Sequence, residues 1–148
     1  MNEYRGDVAD LLPHAGEMVL LERVADWDLQ QIRCMATSHR ASTNPLRCAD
    51  RLPALSGIEY AAQAIAAHGA LINGAEAMRA MTGLLAGVRA VTLFVDRLDD
   101  AMDVITIGAQ KMLVDGNRAI YAFVIEDERR RLLEGRATVV TLAPGPAA

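Results

Sequence analysis

Apolar and polar positions divide the chain into one long helical stretch and a series of short extended ones. Residues 54–73 contain SGIEYAAQAIAAHGAL (56–71), which is apolar almost all the way round. A helix of that kind is buried on every side rather than laid on a surface. Ahead of it, MVLLERVADWD (18–28) is rich in apolar and β-compatible residues and predicts a strand, with LQQIRCMATS (29–38) as its hairpin partner. Behind it, LLAGVRAVTLFVDRL (84–98), AMDVITIGAQKML (101–113), NRAIYAFVIED (117–127) and LLEGRATVVTL (132–142) predict four more strands. The breaks between them hold turn formers: Asp99 and Asp100, then Asp115 to Asn117, then Asp127 to Arg131. DVADLL (7–12) predicts a single helical turn halted by Pro13, and NGAEAMRAMTG (73–83) links the helix onward. HRASTNPLRCADRLP (39–53) is polar, has two prolines and lacks a period, so it predicts a long loop. Loops of that length in small domains are often functional.

One long helix followed by consecutive strands is an α+β pattern. The chain predicts a single domain over 1–148, frayed at 1–10 and 143–148. A helix apolar on all sides must be wrapped by its own sheet or covered by a second subunit, which points to an oligomer. At 148 residues, 52% hydrophobic and 23% charged, the chain can bury a core and is not disordered. A net charge of −4 and an aromatic content of 4% argue against nucleic-acid binding. Cys34 and Cys48 form no CxxC pair and have no clustered histidines, so no metal is expected, and two free thiols fit a reducing cytoplasm. MNEYRGDVAD carries early acids and no apolar run, unlike a secretory signal. Gly57, Glu59, Gln63, His68 and Gly69 would make a membrane-spanning helix from residues 53–72 costly.

Glu59 is the one carboxylate of that apolar helix. SGIE fits a capping box, with Ser56 as N-cap and Glu59 reaching back to its amide. Alternatively Pro53 opens the helix, and Glu59 then lies a turn deeper in apolar surroundings. A carboxyl placed there suits a general acid. Gln63, one turn on, shares its face and could orient the carboxyl or a substrate. His68 is nine residues from Glu59, half a turn out of phase, and reads as a structural histidine.

These segments also resemble a known family. LPHAGEMVLLERV (12–24) is similar to the N-terminal segment of β-hydroxyacyl-ACP dehydratases, EYAAQAIA (59–66) to their ExxAQxxG helix, and LLAGVRAVTLFVDRL to their LAGIxxVRFxxPV strand. The short strands ending in GRATVV follow in the same order. The pattern HR…NPLR…RLPALSGIEYAAQA resembles dehydratase-like proteins of aryl-polyene and related polyketide gene clusters. The resemblance implies a hotdog fold, a long central helix wrapped by an antiparallel sheet, whose subunits pair with the active sites at their interface. It implies that a histidine removes the C2 proton of a 3-hydroxyacyl thioester, on acyl carrier protein or CoA, while a carboxylic acid protonates the departing hydroxyl. Glu59 matches the acid. The helix N-terminus and nearby amides would polarise the thioester carbonyl, which makes Gly57, Gln63, His14 and Arg51 the candidate substrate contacts. No cofactor is implied.

The family's loop, GHFPGxPxxPG, carries its histidine 14 residues before the acid, where this chain has Pro45. Three sources of a base remain: His39 at the front of the loop, His14 in LPH, or a partner subunit. The leading expectation is a dehydratase using Glu59 and His39. The alternatives are a non-catalytic or half-site subunit of a hetero-oligomeric dehydratase, and an acyl thioesterase on the same fold. ERRRLLEGR (128–136) reads as a solvated turn, or as a docking point for an acidic carrier protein with Arg47 and Arg51.

Overall fold

The computed structural model describes residues 1–74, 76 and 82–142. Six strands form one antiparallel sheet: β1 (Arg23–Trp27), β2 (Gln31–Ala36), β3 (Thr82–Leu93), β4 (Ile105–Asp115), β5 (Arg118–Glu126) and β6 (Arg131–Leu142), in the order β1-β2-β4-β5-β6-β3. One helix, α1 (Gly57–Asn73), lies against the middle of the sheet and packs on β2, β4 and β5. This is the hotdog arrangement. Alternation along the strands makes the core: Ile105, Ile107 and Ala109 of β4 and Tyr121, Phe123 and Ile125 of β5 face the helix and are buried. Tyr60, Ala61, Ala64, Ile65 and Ala67 of α1 meet them. Gly57 lets the helix approach closely, since a Cβ there would lie 2.6 Å from a Leu133 methyl carbon.

The strand bounds differ from expectation mainly at the first hairpin. Residues 18–22 do not join the sheet: Gly16–Met18 is a 3-10 turn, and only Glu22 reaches across, its N–H donating to the Met35 carbonyl. The first ten residues are docked rather than frayed. Asn2 bridges Trp27 with N–H to carbonyl bonds of 2.7 and 3.0 Å, and Val8 is buried in a 3-10 turn, Val8–Leu11, capped by the Asp7 carboxylate. The expected fraying at 143–148 and most of the 73–83 link lie outside the described residues.

The long loop is pinned along its length. Leu52 and Leu98 pair, Leu52 N–H also donates to Asp99, and Ala54 N–H donates to the Asp96 carbonyl. Cys48 and Arg51 close a two-residue hairpin turn in which Ala49 (φ 51) and Asp50 (φ 64) both take the left-handed conformation.

Among the described residues β3, at the sheet's outer edge, has no neighbour on one side. Gly83 to Ala90 are exposed throughout, and Leu84, Leu85, Val88 and Leu93 lie open, followed by Phe94. Among the described residues no helix is long and apolar enough to cross a membrane.

Candidate active site

Helical structure begins before α1. Pro53 precedes a 3-10 turn, Ala54–Ser56, which runs directly into the α-helix. Ser56 itself is helical (φ −60, ψ −20), makes no side-chain cap bond, and donates its own N–H to the Pro53 carbonyl. The capping box is therefore absent, and Glu59 is released from the backbone to point elsewhere. Its Oε1 stands 3.1 Å from His14 Nε2, with the two side chains about a third and a quarter exposed.

Gln63 explains why two residues 45 apart meet. Its side chain is fully buried, and its amide is held by the backbone that follows His14: Nε2 donates to Met18 O (2.7 Å), and Oε1 accepts from Leu20 N–H (2.9 Å). The same Nε2 reaches Glu59 Oε1 at 3.4 Å. Gln63 thus clamps the 14–20 segment over the helix one turn beyond Glu59 and steers its carboxyl. Both ends of the amide are thus engaged within the chain.

The other candidates are placed apart from this pair. His39 is wholly buried, its Nε2–H donates to Met102 O (2.7 Å), and Nδ1 has no partner among the described residues. Burial, with the Arg40 charge beside it, holds its pKa below the usual histidine value. The Gly57 N–H is taken by the carbonyls of Ala54 and Leu55. Arg51 lies outside on the Asp96 carbonyl (3.3 Å), and Arg47 on that of Asp50 (2.8 Å). At the β5–β6 turn, Asp127 accepts from the Arg129 and Arg130 amides, and Arg131 pairs with Glu134.

Two motif segments prove structural. Ser38 Oγ donates to Leu20 O and accepts from Tyr60 Oη; Tyr60 in turn accepts from Asn44, whose amide also donates to the Ser38 carbonyl. That network fixes the start of the loop to the helix. His68, on the far side of α1, donates Nε2–H to Asp28 O (2.7 Å) and accepts at Nδ1 from Tyr121, whose hydroxyl pKa burial pushes up to about 12.

Glu59 and His14 open into a cavity of about 730 Å³. Its floor is a stripe of α1 at helical spacing: Glu59, Ala62, Ala66, Gly69 and Asn73. Leu11 and Leu12 close one side, and Val114, Ala119 and Val139 of the sheet close the other. Leu84 and Leu85 of the open edge strand β3 complete the wall. The small side chains of the helix leave the room. Among the described residues no three His, Cys, Asp or Glu side chains gather as a metal site would require.

An acid and an imidazole in contact, both partly exposed, open into a cavity beside the buried helix of a hotdog sheet, and together they define a hotdog-fold protein with an acid–imidazole site. The chain belongs to the ApeP-like family, described as ApeP dehydratase, which it matches over residues 6–145. In structure it is similar to "The Dehydratase Heterocomplex ApeI:P from Xenorhabdus doucetiae", with a TM-score of 0.77 and 26% identity over 96% of this chain and 93% of that one. More distant similarities, which show the fold alone, include a mutant thioesterase PA1618 from Pseudomonas aeruginosa (TM-score 0.58, 11% identity, 82% and 81% of the two chains). Another is the E. coli PaaI protein from the phenylacetic acid degradation operon (0.58, 13%, 79% and 80%). No curated protein matches the sequence.

Proposed function

We propose that this chain dehydrates 3-hydroxyacyl thioesters carried on an acyl carrier protein, with Glu59 and His14 as the acid–base pair. The observation that carries the reading is the 3.1 Å contact between His14 and Glu59 at the end of the channel. The pair needs one proton between its two members. With that proton on Glu59, neutral His14 takes the C2 proton of the substrate while Glu59 gives its own to the C3 hydroxyl. The C3–O bond breaks, water leaves, and a 2-enoyl thioester remains. The pair again holds one proton and is reset by its transfer from His14 to Glu59 across their contact.

The chain works beside a second hotdog subunit. Leu84 and Leu85 line the channel from an edge strand with no neighbour among the described residues, so a subunit pairing along β3 would border the same cavity. The similar structure from Xenorhabdus doucetiae is named as a heterocomplex, which supports a hetero-oligomer over a pair of identical chains. A partner of this kind could also bring a histidine of its own to Glu59. That second reading rests on the shared wall.

The test is dehydration of a 3-hydroxyacyl carrier thioester, read by mass, for the chain alone and with a partner subunit. Glu59→Gln and His14→Ala should each lower turnover by about 10²–10⁴-fold, the usual worth of a positioned acid or base. A free acid product would identify a thioesterase instead. Loss of activity in Glu59→Gln but not in His14→Ala would move the base to the partner.

A further inference from the structure

The open edge strand carries a charge that no described residue answers. In the ladder between β3 and β6, Arg89 lies directly opposite Arg136, and Val88 opposite Ala137. Ala137 is buried against the core while Arg89 and Arg136 are exposed, so the two guanidiniums share the outer face of the sheet. Directly opposed side chains start about 5 Å apart, and like charges there are destabilising. Neither arginine has a hydrogen bond or ion pair with any described residue. β3 contains no acid, and the one acid of β6, Glu134, is engaged by Arg131 at 3.1 Å. On its other side Arg136 faces Ala122 of β5, which has no charge to offer. The ladder also breaks beside the pair: its register shifts between Arg89 and Thr92, and Ala90 takes the left-handed conformation (φ 53). Charged side chains and bulges are the means by which edge strands avoid pairing with their own copies.

We infer that Arg89 and Arg136 choose the subunit that pairs along β3: they disfavour a second copy of this chain and admit a hotdog chain whose edge strand carries a carboxylate on the same outer face. This rests on the reading above that a second subunit borders the cavity at β3. Arg89 is near the middle of the strand. A copy paired antiparallel along its full length would therefore bring a second Arg89 within about 10 Å, roughly one Debye length at ordinary ionic strength. Because β3 reads TGLLAGVRAVTL, no register of such a pair sets a carboxylate of the copy's edge strand against either arginine. Two pairs of guanidiniums would then crowd one seam without a counter-charge. A carboxylate on a different chain's strand removes the repulsion and supplies an ion pair. The exposed leucines of β3 would still gather copies indiscriminately; the arginines act on the ordered, in-register pair.

The experiment is sedimentation equilibrium of the full chain at about 50 mM and about 500 mM salt, which lengthens or shortens the reach of the charges. Wild type should self-associate weakly at low salt and more tightly at high salt. With Arg89→Gln and Arg136→Gln together, self-association should tighten by about tenfold at low salt and lose its salt dependence. A chain carrying Arg89→Glu and Arg136→Glu serves as the acidic partner. Mixed with wild type, it should form a pair about tenfold or more tighter than either chain forms with itself. Circular dichroism checks that each variant is folded, and Val88→Glu checks that the pairs form along β3 by abolishing them. Tight, salt-independent self-association of wild type overturns the inference. So does a mixed pair no tighter than the self-pairs, or pairs that survive Val88→Glu. If pairs form along β3 but ignore both charge changes, only this inference falls and the second-subunit reading stands. Charge-selected pairing in protein without dehydratase activity would sustain it while the proposed reaction failed.

Discussion

Gln63 shows how much a single side chain can decide. By holding Met18 O and Leu20 N–H it lays the preceding segment over the helix and brings His14 to Glu59. Gln63→Leu leaves two backbone groups without partners in the core and should cost about 2–4 kcal/mol in urea unfolding. Gly57→Ala drives a methyl into Leu133 and should cost about 1–3 kcal/mol by the same measurement. The residue scale is also where the sequence was least legible. Glu59 stood out because a carboxylate interrupts an apolar run. The sequence reading favoured His39 over His14 as the base, and it had no view of the partners, far away in sequence, that place each ring: Met102 for His39 and Glu59 for His14.

At the scale of elements, period and turn chemistry were enough to find α1 and the strands β3 to β6. They failed at residues 18–22, where an apolar run serves the core without entering the sheet, because Val19, Leu20 and Leu21 pack on the helix side. They failed again at the helix start, where SGIE has the letters of a cap but a preceding 3-10 turn has already wound the chain. The loop 39–53 is long but not loose, and its tight turn carries a cost. Ala49 and Asp50 both sit at positive φ in a turn that favours Asn and Gly. Ala49→Asn should raise the midpoint of thermal unfolding by relieving about 0.5–1 kcal/mol of backbone strain. No change on that substitution would show that the turn is held without strain.

For the whole molecule, two buried histidines tie stability to pH. Burial lowers the pKa of both His39 and His68 below the unfolded value. The unfolded chain therefore takes up more protons than the folded one as pH falls below about 6.5, and stability declines in that direction. Urea midpoints at pH 7.5 and 5.5 should show the fall, and His68→Gln should flatten part of it. Around His68 burial is the leading cause and the Lys111 charge works with it, while the Asp28 carbonyl on Nε2 and the Asp28 charge oppose it. Assembly is tested at β3, where Val88→Glu should dissociate the complex in light scattering while circular dichroism stays folded. The same bare edge has a consequence inside a cell. A chain released from the ribosome with an open, apolar strand is a template for its own copies until something occupies it. Synthesis out of balance with a partner would then be met by precipitation or proteolysis, and the supply of one subunit would set the soluble amount of the other.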